Sequence, residues 1–328
     1  MLDTWSELED TEYNEFDGII NFRDVGKTVN AFLGKKVLKE GILFRSAKLD
    51  DASYKDRIRL TEVYGIKSVI DLRSKTEHLN AQEKHKFLQK NLPLKIPGIT
   101  YTRIILPSRR FELFLLSQLS WFNIFKFLLL YPLSRPHAIS LISTHALGPL
   151  GLPSLSLNTL SHSSPSISLC LSSCLSGHPK IIHCTQGKDR TGLLTLLILL
   201  ILRTPVQAIS HDYHLTNSTS PRIRSIRLAE VREVGLPDSF AETDQAMVSS
   251  VISWLDATYG GVDGYLDAIG FGEQKRERLR EILLCRGEDD NDAKEKDVGI
   301  SPVSPSASSS DLEEGDVMVV QMGKEVGI

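Results

Sequence analysis

The 328-residue sequence predicts an α/β fold, and three observations carry that prediction. Ile66 to Leu72 (IKSVIDL) is a short, nearly continuous apolar run, the pattern of a parallel strand buried on both faces. Lys180 to Cys184 (KIIHC) is a second short buried strand. A polar turn, TQGKDRTG, follows it directly and opens LLTLLILLILL, an apolar stretch too short for a bilayer and therefore a core helix.

The remaining elements follow in chain order. Residues 1–15 are a polar, acidic, loose lead-in, and order begins near Phe16. Val37 to Phe44 reads as a strand with a turn at Gly41, and Tyr54 to Tyr64 as a helix. Phe111 to Leu130 is long and apolar enough to suggest a membrane span, but Glu112, Gln118, Asn123 and Lys126 interrupt it. A buried or lid-like helix is the better reading, and no integral span is expected. Residues 133–177 form a Ser/Leu/Pro-rich lid region to which no elements are assigned; half of Ser161 to Ser176 is serine. Pro221 to Val234 is an Arg-rich amphipathic helix, Thr243 to Tyr259 another, GGVDGYLDAIGF a turn with a short helix, and Lys275 to Cys285 closes the fold. One domain thus covers residues 16–285. Residues 286–328 are charged and then Ser-Pro-rich, a disordered tail in which Ser301 and Ser304 suit proline-directed phosphorylation.

Composition narrows the function. With 38 basic against 41 acidic side chains the net charge is -3, so no global cationic field draws nucleic acid. Four cysteines in a chain of this length make no disulfide scaffold. The acidic start, MLDTWSELED, lacks the basic residues of a secretory signal, and a cytoplasmic protein is expected.

The chemistry lies in His183-Cys184-Thr185-Gln186-Gly187-Lys188-Asp189-Arg190-Thr191-Gly192, a Cys-x5-Arg string between strand and helix. A turn that opens a helix directs successive backbone N–H groups, here those of Thr185 to Thr191, at one point, where the helix dipole adds positive potential. Such a cradle takes a phosphate dianion. Gly187 allows close approach of the backbone, and Arg190 offers a planar fork matched to two phosphate oxygens. A cysteine in that field is a thiolate nucleophile, which makes Cys184 the attacking group of a two-step phosphomonoester hydrolysis. Both steps need a proton donor or acceptor, and no Asp or Glu lies between Glu112 and Asp189. Asp189 is the nearest candidate, with Asp71 and Asp24 in reserve; geometry decides among them.

The string HCTQGKDRTG, together with NFRDVG (Asn21 to Gly26), FRSAKL (Phe44 to Leu49) and VIDLRSKTE (Val69 to Glu77), resembles the tyrosine/serine protein phosphatase family. The resemblance spans roughly Phe16 to Leu284. It implies a tyrosine-phosphatase-like three-layer fold with a central, mostly parallel sheet and flanking helices. It implies Cys184 as nucleophile, Lys188 and Arg190 as phosphate ligands, and Asp189 as acid/base, with neither cofactor nor metal. It also implies a phosphorylated protein substrate, phosphotyrosine first and phosphoserine or phosphothreonine second, with phosphoinositides or a catalytically weak phosphate-binding module as alternatives. The sequence departs from the family pattern between Arg135 and His178.

Blander roles stand beside these. Cys170, Cys174, His178 and His183 have the residue types of a zinc site, but their spacings match no standard module, so Cys170 and Cys174 read as buried thiols. Cys285 reads as structural. Arg23 and Asp24 either hold a turn or approach the phosphate pocket; Asp71 and Arg73 have the same two readings. His211, Asp212 and Tyr213 read as capping or core packing, because a thiolate needs no relay base. Arg222, Arg224, Arg227 and Arg232 read as a solvated face.

Overall fold

The computed structural model describes residues 16–217 and 220–285. Ser301 and Ser304, the expected phosphorylation sites, lie outside the described residues.

A five-stranded sheet sets the frame: β1 Arg23–Asp24, β2 Leu43–Ser46, β3 Ser68–Asp71, β4 Thr100–Arg103 and β5 Lys180–His183. Their order is β1-β2-β5-β3-β4. β5 pairs in parallel with both β2 and β3, β3 with β4, and only the two-residue β1 runs antiparallel at the edge. The sheet is thus mostly parallel, as expected. The predicted strand at Val37 to Phe44 starts later than its apolar pattern suggested. Gly41 turns there with φ +78°, and Leu38 makes only an isolated bridge to Leu284.

Side chains alternate across the sheet and divide the core. Phe44, Val69 and Ile181 face a cluster that includes Phe16, Phe22, Leu60 and Ile66. Leu43, Ile70 and Ile182 face the larger cluster on the opposite side. This two-sided burial is why the central strands β3 and β5 are apolar at successive positions, and it yields three layers.

The helices are α1 Val25–Leu33, α2 Tyr54–Ile58, α3 Lys75–Phe87, α4 Arg109–Ser117, α5 Trp121–Leu133, α6 Arg135–Ile142, α7 Gly148–His162, α8 Ser164–Ser173, α9 Asp189–Ile201, α10 Val206–His214, α11 Pro221–Glu233, α12 Met247–Tyr259, α13 Val262–Ala268 and α14 Glu273–Leu283. π-helical turns continue α2 through Arg59–Val63 and α6 through Ser143–Leu147. Helix α9 is buried on every side, which explains its lack of polar periodicity.

Two expectations are corrected. Phe111 to Leu130 is two helices, because Ser120 caps a new one by accepting from the Asn123 amide, and α5 has no buried residue. Residues 133–177, left without elements, are mostly helical, with α7 interrupted at Gly151 (φ +71°). Cys170 and Cys174 are buried, and the Cys174 thiol donates to the Cys170 carbonyl at 3.3 Å. Burial pushes the Cys174 thiol up to about 12. Cys285 ties the last helix to the start of the fold through its amide to Val37 O, 2.9 Å.

Candidate active site

β5 carries the chain to Cys184 in the middle of the sheet, flanked by parallel strands on both sides. Ligands commonly bind at such carboxyl ends of parallel strands. The loop from Cys184 to Lys188 then turns into α9, and Cys184 is buried. At Gly187 the backbone has φ +67°, and a Cβ there would lie 2.2 Å from the Ser46 carbonyl oxygen. Only glycine fits.

The loop's carbonyls are held from outside. Asn21 Nδ2 donates to Gln186 O (3.1 Å) and Gly187 O (3.0 Å). Arg45 Nη2 donates to Gly187 O (2.8 Å), and the Lys48 amide donates to Thr185 O (3.0 Å). Behind these donors lies a buried charge cluster centred on Asp212. Its carboxylate accepts from Arg23 Nε at 2.9 Å and from Arg45 Nη1 at 2.5 Å. Burial pushes the Asp212 carboxyl up, but the two guanidinium charges outweigh it and hold it below the usual carboxylate range. Burial and the neighbouring Arg23 pull Arg45 down to about 10.

Arg190, at the start of α9, is gripped by Glu77 of α3. Nη1 donates to Oε2 at 2.7 Å and Nη2 to Oε1 at 2.6 Å. Glu77 also accepts from the Thr185 hydroxyl and, at 2.8 Å, from the Ser74 amide. Its carboxyl lies far below the usual range, because Arg190 overcomes the effect of burial. Lys188 is fully buried, and its Nζ donates to Asp189 Oδ1 (2.8 Å) and to the Glu242 carbonyl (2.9 Å). Asp189 thus sits at the loop's end with its carboxylate oriented by the preceding residue.

The reserve acids have other duties. Asp24 caps α1, accepting from the Gly26 amide at 2.8 Å, and its second oxygen accepts from the Gly41 amide at 2.5 Å. Asp71, at the end of β3, accepts from Arg73 Nε at 3.0 Å and Nη2 at 2.9 Å. Burial opposes ionisation of Asp71, but His183 and Arg73 outweigh it and draw the carboxyl down to about 2. The Asp71 carboxylate is thus already occupied by the Arg73 guanidinium. His183 is buried, its Nδ1–H donates to the Cys184 carbonyl at 3.0 Å, and burial pushes its pKa down.

A family model described as "tyrosine phosphatase family" matches residues 14–285. The chain belongs to the tyrosine phosphatase family. It is 26% identical over 309 residues to the triple specificity protein phosphatase PtpB of Mycobacterium tuberculosis, covering 82% of this chain and 98% of that protein. It is 28% identical over 109 residues to a tyrosine-protein phosphatase of Nostoc commune, covering 30% of this chain and 37% of that protein.

In this member of the tyrosine phosphatase family the residues that sequence reasoning missed are those supporting the loop. Glu77 lies in a visible Ser74-x-x-Glu77 capping box, which both residues complete, yet nothing in the sequence pairs it with Arg190. Arg45 interrupts a strand, LFRS, that is otherwise short and uncharged, and a lone charge inside a buried strand was the available signal. Asp212 neither caps a helix nor packs as an apolar residue; it neutralises Arg23 and Arg45. Arg23 spends its donors on Asp212, Thr216 and Asn21, so it supports the loop at one remove. The solvated arginine face is corrected at one position. Arg222, Arg224 and Arg232 are exposed, but Arg227 is buried, and its backbone carbonyl accepts from Gln186 Nε2 at 3.3 Å.

Proposed function

We propose that this tyrosine-phosphatase-family hydrolase is a protein phosphatase that cleaves phosphomonoesters, phosphotyrosine first, through a cysteinyl-phosphate intermediate. The observation that carries the reading is Arg190. Its end-on pair with Glu77 uses one proton of each Nη, and Nη1 also points at the Leu72 carbonyl, 3.3 Å away. The Nε and Nη2 edge of the same planar fork is left for two phosphate oxygens. Carbonyls of Thr185, Gln186 and Gly187 turned to outside donors favour amides turned the other way, towards the anion, with those of Lys188 and Thr191 continuing the cradle into α9. Lys188 has used two of its three protons and keeps one for the phosphate.

In the first step the Cys184 sulfur attacks phosphorus, the P–O ester bond breaks, and Asp189 gives its proton to the departing oxygen. In the second, the Asp189 carboxylate takes a proton from water, the oxygen attacks phosphorus, and the P–S bond breaks to return thiolate and free phosphate. The triple specificity in the mycobacterial relative's name supports a substrate range broader than phosphotyrosine, and phosphoserine and phosphothreonine are the second substrates proposed here.

The test is turnover of para-nitrophenyl phosphate and of a phosphotyrosine peptide by the wild type and Cys184→Ser. Vanadate-sensitive turnover lost in Cys184→Ser is the expected result. Wild type that binds vanadate without turnover would make the protein a phosphate-binding module instead, and faster release of phosphate from soluble phosphoinositides than from peptide would move the substrate class to lipid.

A further inference from the structure

Helix α5 (WFNIFKFLLLYPL) is apolar on most of its circumference, a composition that belongs inside a core or a membrane, yet none of its residues is buried. Trp121 is 84% exposed, Phe125 61%, Leu128 64% and Leu133 75%. At about 100° per residue, the exposed apolar positions from Tyr131 round to Leu133 cover an arc of roughly 200°. A helix seated in a protein groove presents a narrower stripe, read at i, i+3, i+4 and i+7. An arc this broad suits a fluid apolar phase.

The charge around the helix selects the kind of surface. Lys126 lies over the Phe122 ring with 4.5 Å to its centroid, and Arg135, at the start of α6, lies over Tyr131 at 5.5 Å. Both cations are exposed, and no Asp or Glu occurs anywhere from residue 113 to residue 188. Aromatic rings with cations beside them suit the boundary between acyl chains and headgroups, where each ring has an apolar body to bury and each cation reaches a phosphate. Thirteen residues rise about 20 Å, less than the roughly 30 Å hydrocarbon thickness, so the helix lies in the interface plane. No described helix is long and apolar enough to cross a membrane.

We infer that α5 is a docking helix that beds its aromatic and leucine side chains into the surface of an anionic lipid bilayer, with Lys126 and Arg135 on the headgroup phosphates. The inference is independent of which phosphoester the active site cleaves.

Sedimentation of the full chain with phosphatidylcholine vesicles, with and without phosphatidylserine, tests it. The protein should pellet with the anionic vesicles and be released by salt, and its tryptophan emission should shift to the blue. Trp121→Phe should abolish most of that shift while still pelleting. Phe125→Glu with Leu128→Glu should lower the vesicle-bound fraction by at least about tenfold and leave para-nitrophenyl phosphate turnover unchanged. Full chain that does not pellet at any phosphatidylserine content overturns the inference, as does equal binding of the double variant. Dimerisation lost in the double variant without vesicle binding, or binding seen only after removal of residues 286–328, would equally overturn it by assigning the helix to a second copy or to the chain's own end.

Discussion

Glu77 and Arg190, 113 residues apart, meet fork to fork at 2.6 and 2.7 Å, with the Thr185 hydroxyl on the same carboxylate. The pair fixes the plane of the guanidinium in the folded chain, so on the proposed mechanism the cost of orienting it is met in folding rather than in catalysis. Glu77→Gln keeps the side-chain volume but removes the charge and offers only one acceptor oxygen to two donors. Its kcat/KM for a phosphotyrosine peptide should fall by about 10²-fold, with the loss mainly in kcat. A fall confined to thermal stability, with kcat intact, would show that the pair only braces α3.

Asp189 and Asp71 separate in a pH–rate comparison. Asp189→Asn should lower turnover by about 10² to 10⁴-fold and flatten the limb that reports the acid. Asp71→Asn should leave that limb in place. Unchanged kinetics in Asp189→Asn would move the proton to another group.

Asp71 instead contributes to stability. Its carboxyl is drawn down from the usual 3.8 to about 2 in the folded chain. That contribution is fully present above about pH 4, where the unfolded chain is also ionised, and is lost as pH falls towards 2. Denaturant unfolding of Asp71→Asn should show about 2 kcal/mol less stability near neutrality and little difference at pH 2. A constant difference across the range would mean that packing, not charge, is what the substitution removes.

Gly187 tolerates no side chain. Alanine there would combine φ +67° with a Cβ 2.2 Å from Ser46 O. Gly187→Ala should cost more than about 2 kcal/mol in chemical denaturation and abolish vanadate-sensitive turnover. Wild-type turnover by this variant would show that the loop need not keep its close contact with Ser46.

Asp212 is the hinge of the buried charge cluster. Asp212→Leu strands Arg23 and Arg45 without their shared anion, and urea unfolding should show a loss of about 3 to 5 kcal/mol. Because Asp212 lies below the usual carboxylate range when folded, its stabilising effect is present above that range and declines as pH falls through it. A loss under about 1 kcal/mol would place the support of the loop in Asn21 and Lys48 alone.

The strand, turn and helix around Cys184 were legible because their signals are local. Apolar runs at Ile66 to Leu72 and Lys180 to Cys184 mark strands buried on both faces, and a glycine inside a polar turn marks a backbone that must come close to something. The family resemblance came from the same short strings. The break at Ser120 was present as an N-cap but masked by apolar residues on both sides, and the lid region's serines hid helices whose buried faces are Ala138, Leu160, Ile167 and Leu171.

The sequence by itself determined the strand–turn–helix setting of Cys184, the close-packed glycine in that turn and the layered α/β plan, since each depends on residues within one turn or one strand. Only the tertiary structure decided that Glu77 orients Arg190, that Asp212 neutralises Arg23 and Arg45, that Arg227 is buried, and that α5 stands exposed. Those are matters of which distant charges share a low-dielectric interior and which apolar faces find a partner. Pairing energy there depends on separation in space, which spacing along the chain does not encode.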